Sequence, residues 1–280
     1  MTISKPSSTI SSVEPRRRGL VDGTWTTCRL AGLSLLRGRR GWGLLLLGLL
    51  PTVPLVVQYF GDETGVIGIH GFIKTIANSY FQFVLGIASL YLACAAVGED
   101  IEARTIPYLL TRAVPRSSIL IGRYLSFLFS SGVLLGFYVV VVYVLTIAPM
   151  GVEALAEDLC YLWPLWTAGL IAMAAHGAVF LLLSIVARRA IFIGIALLFF
   201  WQVNVLQWQN GFKKGTVLFH TFVLLEAWRP HPEFAAMTKI ASDDPQETAA
   251  RAGIVLLSIT AIALFLAVAR FRRREFTFTD

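Results

Sequence analysis

The sequence predicts an all-α, polytopic membrane protein, and three observations carry that prediction. Apolar residues make up 56% of the 280 and charged ones only 15%, with a mean hydropathy of +0.70. The apolar residues gather into six runs of about 18 or more nearly uncharged positions, the length a helix needs to cross a hydrocarbon core. The charges between the runs are sorted by sign. If the N-terminus is cytoplasmic, 18 of the 24 Lys and Arg fall on the cytoplasmic side, against seven of the 17 acidic residues. That asymmetry is the positive-inside rule, and it accounts for the net charge of +7 without a nucleic acid. No loop is long enough to build the folded basic surface that nucleic-acid binding requires.

Residues 1–19 are polar, rich in Ser and Arg, and read as a disordered basic cytoplasmic tail. A small-residue cleavage site after a compact apolar core is missing, so this tail does not read as a secretory signal. Residues 20–280 read as one transmembrane domain. It opens with residues 20–40, where Trp25, Leu30, Leu33, Leu35 and Leu36 alternate with Arg29, Arg37, Arg39 and Arg40. Such a segment is expected to lie in the interface, its arginines reaching membrane headgroups.

The six expected spans are residues 41–60, 75–97, 119–148, 161–187, 190–208 and 252–269. Pro51 and Pro54 kink the first, and the third is longer than a bilayer requires, so it tilts or extends into water. The outer loop 61–74 is short and Gly-rich. Beyond the third span, Pro149-Met150-Gly151 turns the chain into a short acidic outer segment with Glu153, Glu157 and Asp158. Trp163 and Trp166 stand where an aromatic belt belongs. Arg188-Arg189 is so tight a loop that the fourth and fifth spans must form a hairpin.

Residues 209–250 are the one sizeable outer element and are expected to form a helical hairpin. Its greasy run, 216–228, is far too short to cross a bilayer and reads as a re-entrant or interfacial helix. A seventh span there would also carry the Arg-rich C-terminus outside, against the charge rule. Both termini are therefore placed in the cytoplasm, and the host membrane is expected to be a bacterial inner (plasma) membrane.

Between the second and third spans lies the densest charged interruption, Gly98 to Arg123. Glu99, Asp100 and Glu102 lead it, and Arg112, Arg116 and Arg123 close it. Ile106, Leu109, Leu110 and Ala113 recur at helical spacing on one face. Thr105 can cap that helix, Pro107 suits its first turn, and Pro115 ends it. A short helix with one apolar face and charged flanks, slung between spans, suits a protein contact better than a catalytic pocket. Arg104, Arg112 and Arg116 also fit as headgroup anchors, although anionic lipid would repel the adjacent Glu99 and Asp100.

This stretch resembles the corresponding part of the membrane (permease) subunit of type-2 ABC exporters. The family has acidic residues after its second span, a Gly-Thr-Leu-like turn, a Leu-Leu helix, a Pro-x-Ser-Arg-like break and a Gly-Lys at the next span. Here the matching positions are Glu99/Asp100/Glu102, Arg104-Thr105-Ile106, Leu109-Leu110, Ala113-Val114-Pro115-Arg116 and Gly122-Arg123. Arg104 stands where the family has Gly, the proline is displaced by two positions, and Arg123 stands where the family has Lys. The resemblance extends along the chain through the interfacial helix, six spans and an outer pair of re-entrant helices. It implies that residues 104–116 form a coupling helix docking on a separate ABC ATPase subunit. It also implies a second permease copy or a homologous permease, and outward transport powered by the ATPase.

Chemistry of this chain's own is not expected. A phosphate-binding loop needs a Gly-Lys-Ser/Thr end, and the dipeptide Gly-Lys does not occur, so ATP and Mg belong to the partner and no cofactor is assigned here. His70, His176, His220 and His231 lack metal-ligand spacing, which leaves no metal and no catalytic residue to name. Cys28, Cys94 and Cys160 fall in three different compartments and offer no disulfide. Asn78, Gln82, His176, Gln202, Asn204 and Gln207 are the candidate substrate path. Hydrogen bonding between neighbouring helices is the other reading of these six. A secondary carrier or channel, and a non-transporting scaffold of an envelope assembly, stay open as alternatives. The lack of a carboxylate deep in any span argues against the carrier.

Overall fold

The computed structural model describes residues 24–25, 28, 39–61, 68–102, 116–187, 189–204, 214–239 and 248–273. These residues are helical almost throughout, and no strand occurs among them. Residues 1–19, most of 20–40, and 104–115 of the expected coupling helix lie outside the described residues.

The chain opens with α1 (Arg39–Leu49), broken from α2 (Val53–Gly61) by a 3-10 turn at Leu50–Thr52. Pro51 causes the break, because a proline has no N–H to continue the ladder. Next come α3 (Gly68–Thr75), a π-helical stretch (Ile76–Val84) and α4 (Leu85–Glu102), which run on without interruption. The expected Gly-rich loop 61–74 is corrected here, since its second half is helix. Ile69, Phe72, Ile73 and Ile76 recur at i, i+3, i+4 and i+7, and burial of Phe72, Ile73 and Ile76 outweighs the weak helix propensity of Gly71.

Helix α5 (Arg116–Ile147) ends in a 3-10 turn at Ala148–Met150. Gly151, at φ +102°, then reverses the chain in a conformation that a residue with a Cβ would resist. The acidic outer segment is helical too: α6 (Val152–Glu157) and a 3-10 turn (Asp158–Tyr161) lead directly into α7 (Leu162–Val186). Two shorter helical stretches follow. One is α8 (Ala190–Ala196), continued by a π-helical stretch (Leu197–Asn204). The other is α9 (Val217–Trp228), with α10 (Pro232–Lys239) after it. The last helix is α11 (Ala249–Arg273), with Arg270, Arg272 and Arg273 in its final turn, where the helix dipole favours cations.

Four helical segments are long and apolar enough to cross a membrane: Gly68–Ala96, Ser117–Met150, Val152–Val186 and Ala249–Arg273. Trp42–Val57, Ala190–Trp201 and Val217–Trp228 are shorter apolar helices. Large apolar side chains stand exposed in stripes. On α5 these are Leu125, Phe129, Val133, Phe137, Val140 and Val144, spaced three or four apart on one side. Ile254, Leu257, Ile262, Phe265 and Leu266 are likewise exposed on α11. Such faces in water would be a liability, and they are what a helix shows to lipid.

Helix α7 sits at the centre, packed by α11, α4 and α5. Its middle is built from small residues, among them Ala168, Gly169, Ala172, Ala175 and Gly177, all buried. Between helices in an apolar solvent, small residues let backbones approach and exchange dispersion contacts. Leu135 of α5 lies 2.6 Å from where a Gly169 Cβ would stand, and the Phe127 ring fills the same place at Gly177 more closely still. A reciprocal arrangement docks α8 on α4. Leu198 occupies the space over Gly86, and Leu90 occupies the space over Gly194.

Candidate functional site

At one end of the bundle, α4 and α5 leave the core on either side of the charged stretch. The guanidinium of Arg123, two turns into α5, donates from Nη1 to the Ala96 carbonyl of α4 at 2.7 Å. Tyr124 donates its hydroxyl to the Ala174 carbonyl of α7 at 2.9 Å. Ser118, Ile119 and Leu120 are buried beside this pair of ties. The two ends of the intervening segment are thus fixed relative to each other and to the central helix. Glu99, Asp100 and Glu102 fall on the last turns of α4, and Arg116 begins α5. Arg104, Thr105, Leu109, Leu110 and Arg112 lie outside the described residues.

Arg123 was not among the expected docking residues, although one signal pointed to it. A guanidinium in an apolar helix needs a partner, and the nearest end of the preceding helix supplies a carbonyl. Replacing Arg123 with Ala is expected to lower stability in detergent by about 1.5–3 kcal/mol, the usual worth of a charged hydrogen bond. Thermal unfolding of the two proteins side by side checks this. An unchanged midpoint would mean the tie is not made.

At the opposite end the short helix α9 is enclosed. Every residue from Val217 to Leu225 is buried, so this stretch has no face left for lipid or water. Its start is fixed locally: the Thr216 hydroxyl accepts from the Phe219 amide at 3.3 Å, a side-chain N-cap. His220 Nε2 lies 2.8 Å from the Lys214 carbonyl, and Trp201 Nε1 donates to the Gly215 carbonyl at 3.3 Å. Phe222 meets Phe81 of the π-helical stretch, ring centroids 6.0 Å apart. After α9 the chain turns at Arg229, whose guanidinium lies 5.4 Å from the centroid of the Tyr161 ring.

The candidate path residues are not drawn together by the contacts they make. Asn78 donates Nδ2 to the Lys74 carbonyl at 3.0 Å, and Gln82 Nε2 reaches Asn78 Oδ1 at 3.5 Å, all on one helical segment. His176, buried on α7, has Nδ1 3.0 Å from the Ala172 carbonyl and stacks on Phe180. The expected bonds to neighbouring helices are therefore replaced at Asn78 and His176 by bonds to their own helices. The physical reason is local: a carbonyl one turn back is always within reach of a short polar side chain. Gln202 and Asn204 fall in the π-helical stretch that ends at Asn204, and Gln207 lies outside the described residues.

Besides the Arg123 tie, interhelical hydrogen bonds come from aromatic residues that carry no such signal in the sequence. Tyr80 donates to the Gly48 carbonyl and Tyr138 to the Leu44 carbonyl, both at 2.5 Å, clamping α1 at two carbonyls one turn apart. Trp166 Nε1 donates to the Gly132 carbonyl at 2.9 Å, tying α7 to α5. Among the described residues, no group of three or more His, Cys, Asp or Glu could hold a metal ion, and no carboxylate is buried.

One end tied around a charged connection, the other closed by an enclosed helix, and a middle without buried carboxylates define the class. The described residues are almost entirely helical, and four of their helical segments are of membrane-crossing length. No family model matches the chain, and no curated protein matches it.

Proposed function

We propose that this chain is the permease subunit of an ABC transporter of the type-2 exporter kind, moving a substrate outward with energy from a separate ATPase subunit. The observation that carries the reading is the Arg123–Ala96 tie across the ends of the charged stretch. A segment that passes force from a docked ATPase to the spans needs two anchors that move as one, and α4 and α5 joined at this point supply them. Alternation between inward- and outward-open states would then be a rigid-body motion of the helices flanking the stretch.

In this reading residues 104–116 are the coupling helix. Six spans cross the membrane with both termini in the cytoplasm. The first is the kinked α1–α2 unit and the fifth is α8 with its π-helical continuation. From Arg39 to Gly61 the helical path is about 34 Å at 1.5 Å per residue, enough for the hydrocarbon core. Helices α9 and α10 are the outer re-entrant hairpin, and enclosure of α9 supports a closed outer gate. Function calls for a second permease copy or a homologous permease, and for the lipids of an inner membrane. ATP and Mg belong to the ATPase. The absence of a buried carboxylate among the described residues weighs for this reading over a proton- or sodium-coupled carrier.

The test is a pull-down from detergent with the candidate ATPase, comparing wild type with Glu102→Arg and Leu109→Asp. Wild type is expected to co-purify with the ATPase and stimulate ATP hydrolysis. Both variants are expected to lose binding while keeping the wild-type unfolding midpoint. Variants that bind as well as wild type would reduce the charged stretch to a plain connection and bring the carrier and scaffold readings forward.

A further inference from the structure

His70 of α3 meets two side chains from a distant part of the chain, His231 and Glu233, where α10 begins. His70 Nε2 lies 3.3 Å from Glu233 Oε1. The rings of His70 and His231 have centroids 5.5 Å apart, tilted by 37°. His231 also caps α10: its Nδ1 accepts from the Glu233 amide at 3.3 Å, and its carbonyl accepts from the Ala235 amide at 3.0 Å. Phe234, fully buried, holds the other side of the imidazole with its ring centroid 5.9 Å away.

This geometry constrains protonation. To accept from the Glu233 amide, Nδ1 of His231 must be bare, so the neutral ring carries its proton on Nε2. A second proton would place an N–H against an N–H at the cap and a positive ring beside His70. We infer that His70, His231 and Glu233 form an acid-released latch, holding α10 against the start of α3 while His231 is neutral and freeing it when His231 is protonated.

The surroundings act in the same direction. Burial and the facing His70 imidazole hold His231 below the ordinary histidine range, with the Glu233 carboxylate pulling the other way. A depressed histidine binds its proton more readily once released, so acid favours the open form and the latch weakens as pH falls through that range. A protonated His70 would pair better with Glu233, but its side chain is 64% exposed, and an exposed ion pair adds little. The other charges on the elements around the cluster are Lys74 beyond His70, Glu226 and Arg229 ending α9, and Glu153, Glu157 and Asp158 before α7. Arg229 is turned onto Tyr161, and the charged groups acting on His231 are His70 and Glu233. That the latch senses pH outside the cell rests on the proposed orientation. The release itself does not.

Hydrogen exchange of the full chain in detergent, at pH 7.5 and 5.5 and corrected for the chemical rate, reads the latch directly. Protection of the α10 amides is expected to fall roughly five-fold on acidification relative to α9, as His231 gains its proton and the cap opens. His231→Asn keeps an acceptor for the Glu233 amide but cannot titrate, so its α10 protection is expected to be the same at both pH values. A wild-type profile that ignores pH overturns the inference, as does a fall that survives undiminished in His231→Asn. If His231→Asn does not fold, His70→Gln decides in its place: a smaller fall than wild type supports the latch and an equal one overturns it.

Discussion

Gly177→Ala is expected to destabilise the protein by about 2–3 kcal/mol, and Gly177→Leu to prevent recovery of folded protein. A Cβ at Gly177 would stand against Cε1 and Cζ of Phe127, far inside contact distance. The ring cannot swing aside cheaply. It is fully buried, and Tyr124 lies one turn before it on α5, ring centroids 6.0 Å apart, with its hydroxyl tied to the Ala174 carbonyl. The added methyl must therefore push α5 off α7, and lost contacts spread along that interface. Unfolding in detergent, followed by circular dichroism, measures the cost. Phe127→Leu should rescue part of it, giving a coupling energy of about 1 kcal/mol or more in a double-mutant cycle. If Gly177→Ala melts with wild type, α5 and α7 are not in close contact at this point.

The second large effect is expected at Gly48, where the consequence is local. A Cβ there would fall on the Tyr138 ring, and that ring is held by its own hydroxyl bond to the Leu44 carbonyl. Tyr80 holds the Gly48 carbonyl beside it, the two tyrosine rings lying 5.9 Å apart. One methyl therefore displaces both clamps at once. Gly48→Ala is expected to lose about 2–3 kcal/mol in the contact of α1 with the bundle. Amide exchange should rise across Arg39–Leu49 while α5 and α7 stay protected. Tyr138→Phe, which removes only a hydroxyl, should give a smaller rise of the same pattern, near ~0.6 kcal/mol as interhelical bonds in membranes usually give. A rise spread evenly over all helices would show that the clamp is not a separate contact.

Apolar length and local chemistry are legible in the sequence, and contacts are not. Pro51 announces the break between α1 and α2, and the brevity of the 216–228 run announces α9. The helix over Gly68–Thr75 reads as a loop because two glycines outvote a four-residue apolar spacing that is in plain view. The π-helical stretches have the same composition as their α-helical neighbours, so no residue type marks them. Asn78 and His176 read as candidates for a substrate path or for bonds to neighbouring helices, because polar groups in apolar runs invite both readings. What decides their bonds is a carbonyl one turn away, which every helix provides. The latch cannot be read at all: His70 and Glu233 meet only because the chain after α9 brings α10 next to the start of α3. Arg123 lies between these cases, legible as a cation needing a partner, while the partner itself comes from the packing of α4.

The complete enclosure of α9 also sets an order of events. Its walls include α7, which precedes it in the chain, and α11, which follows it. While the ribosome has yet to finish α11, the nine residues from Val217 to Leu225 lack one wall, and a 12-residue helix is too short to settle across a bilayer by itself. Its burial must therefore wait until α11 has been made and packed against α7.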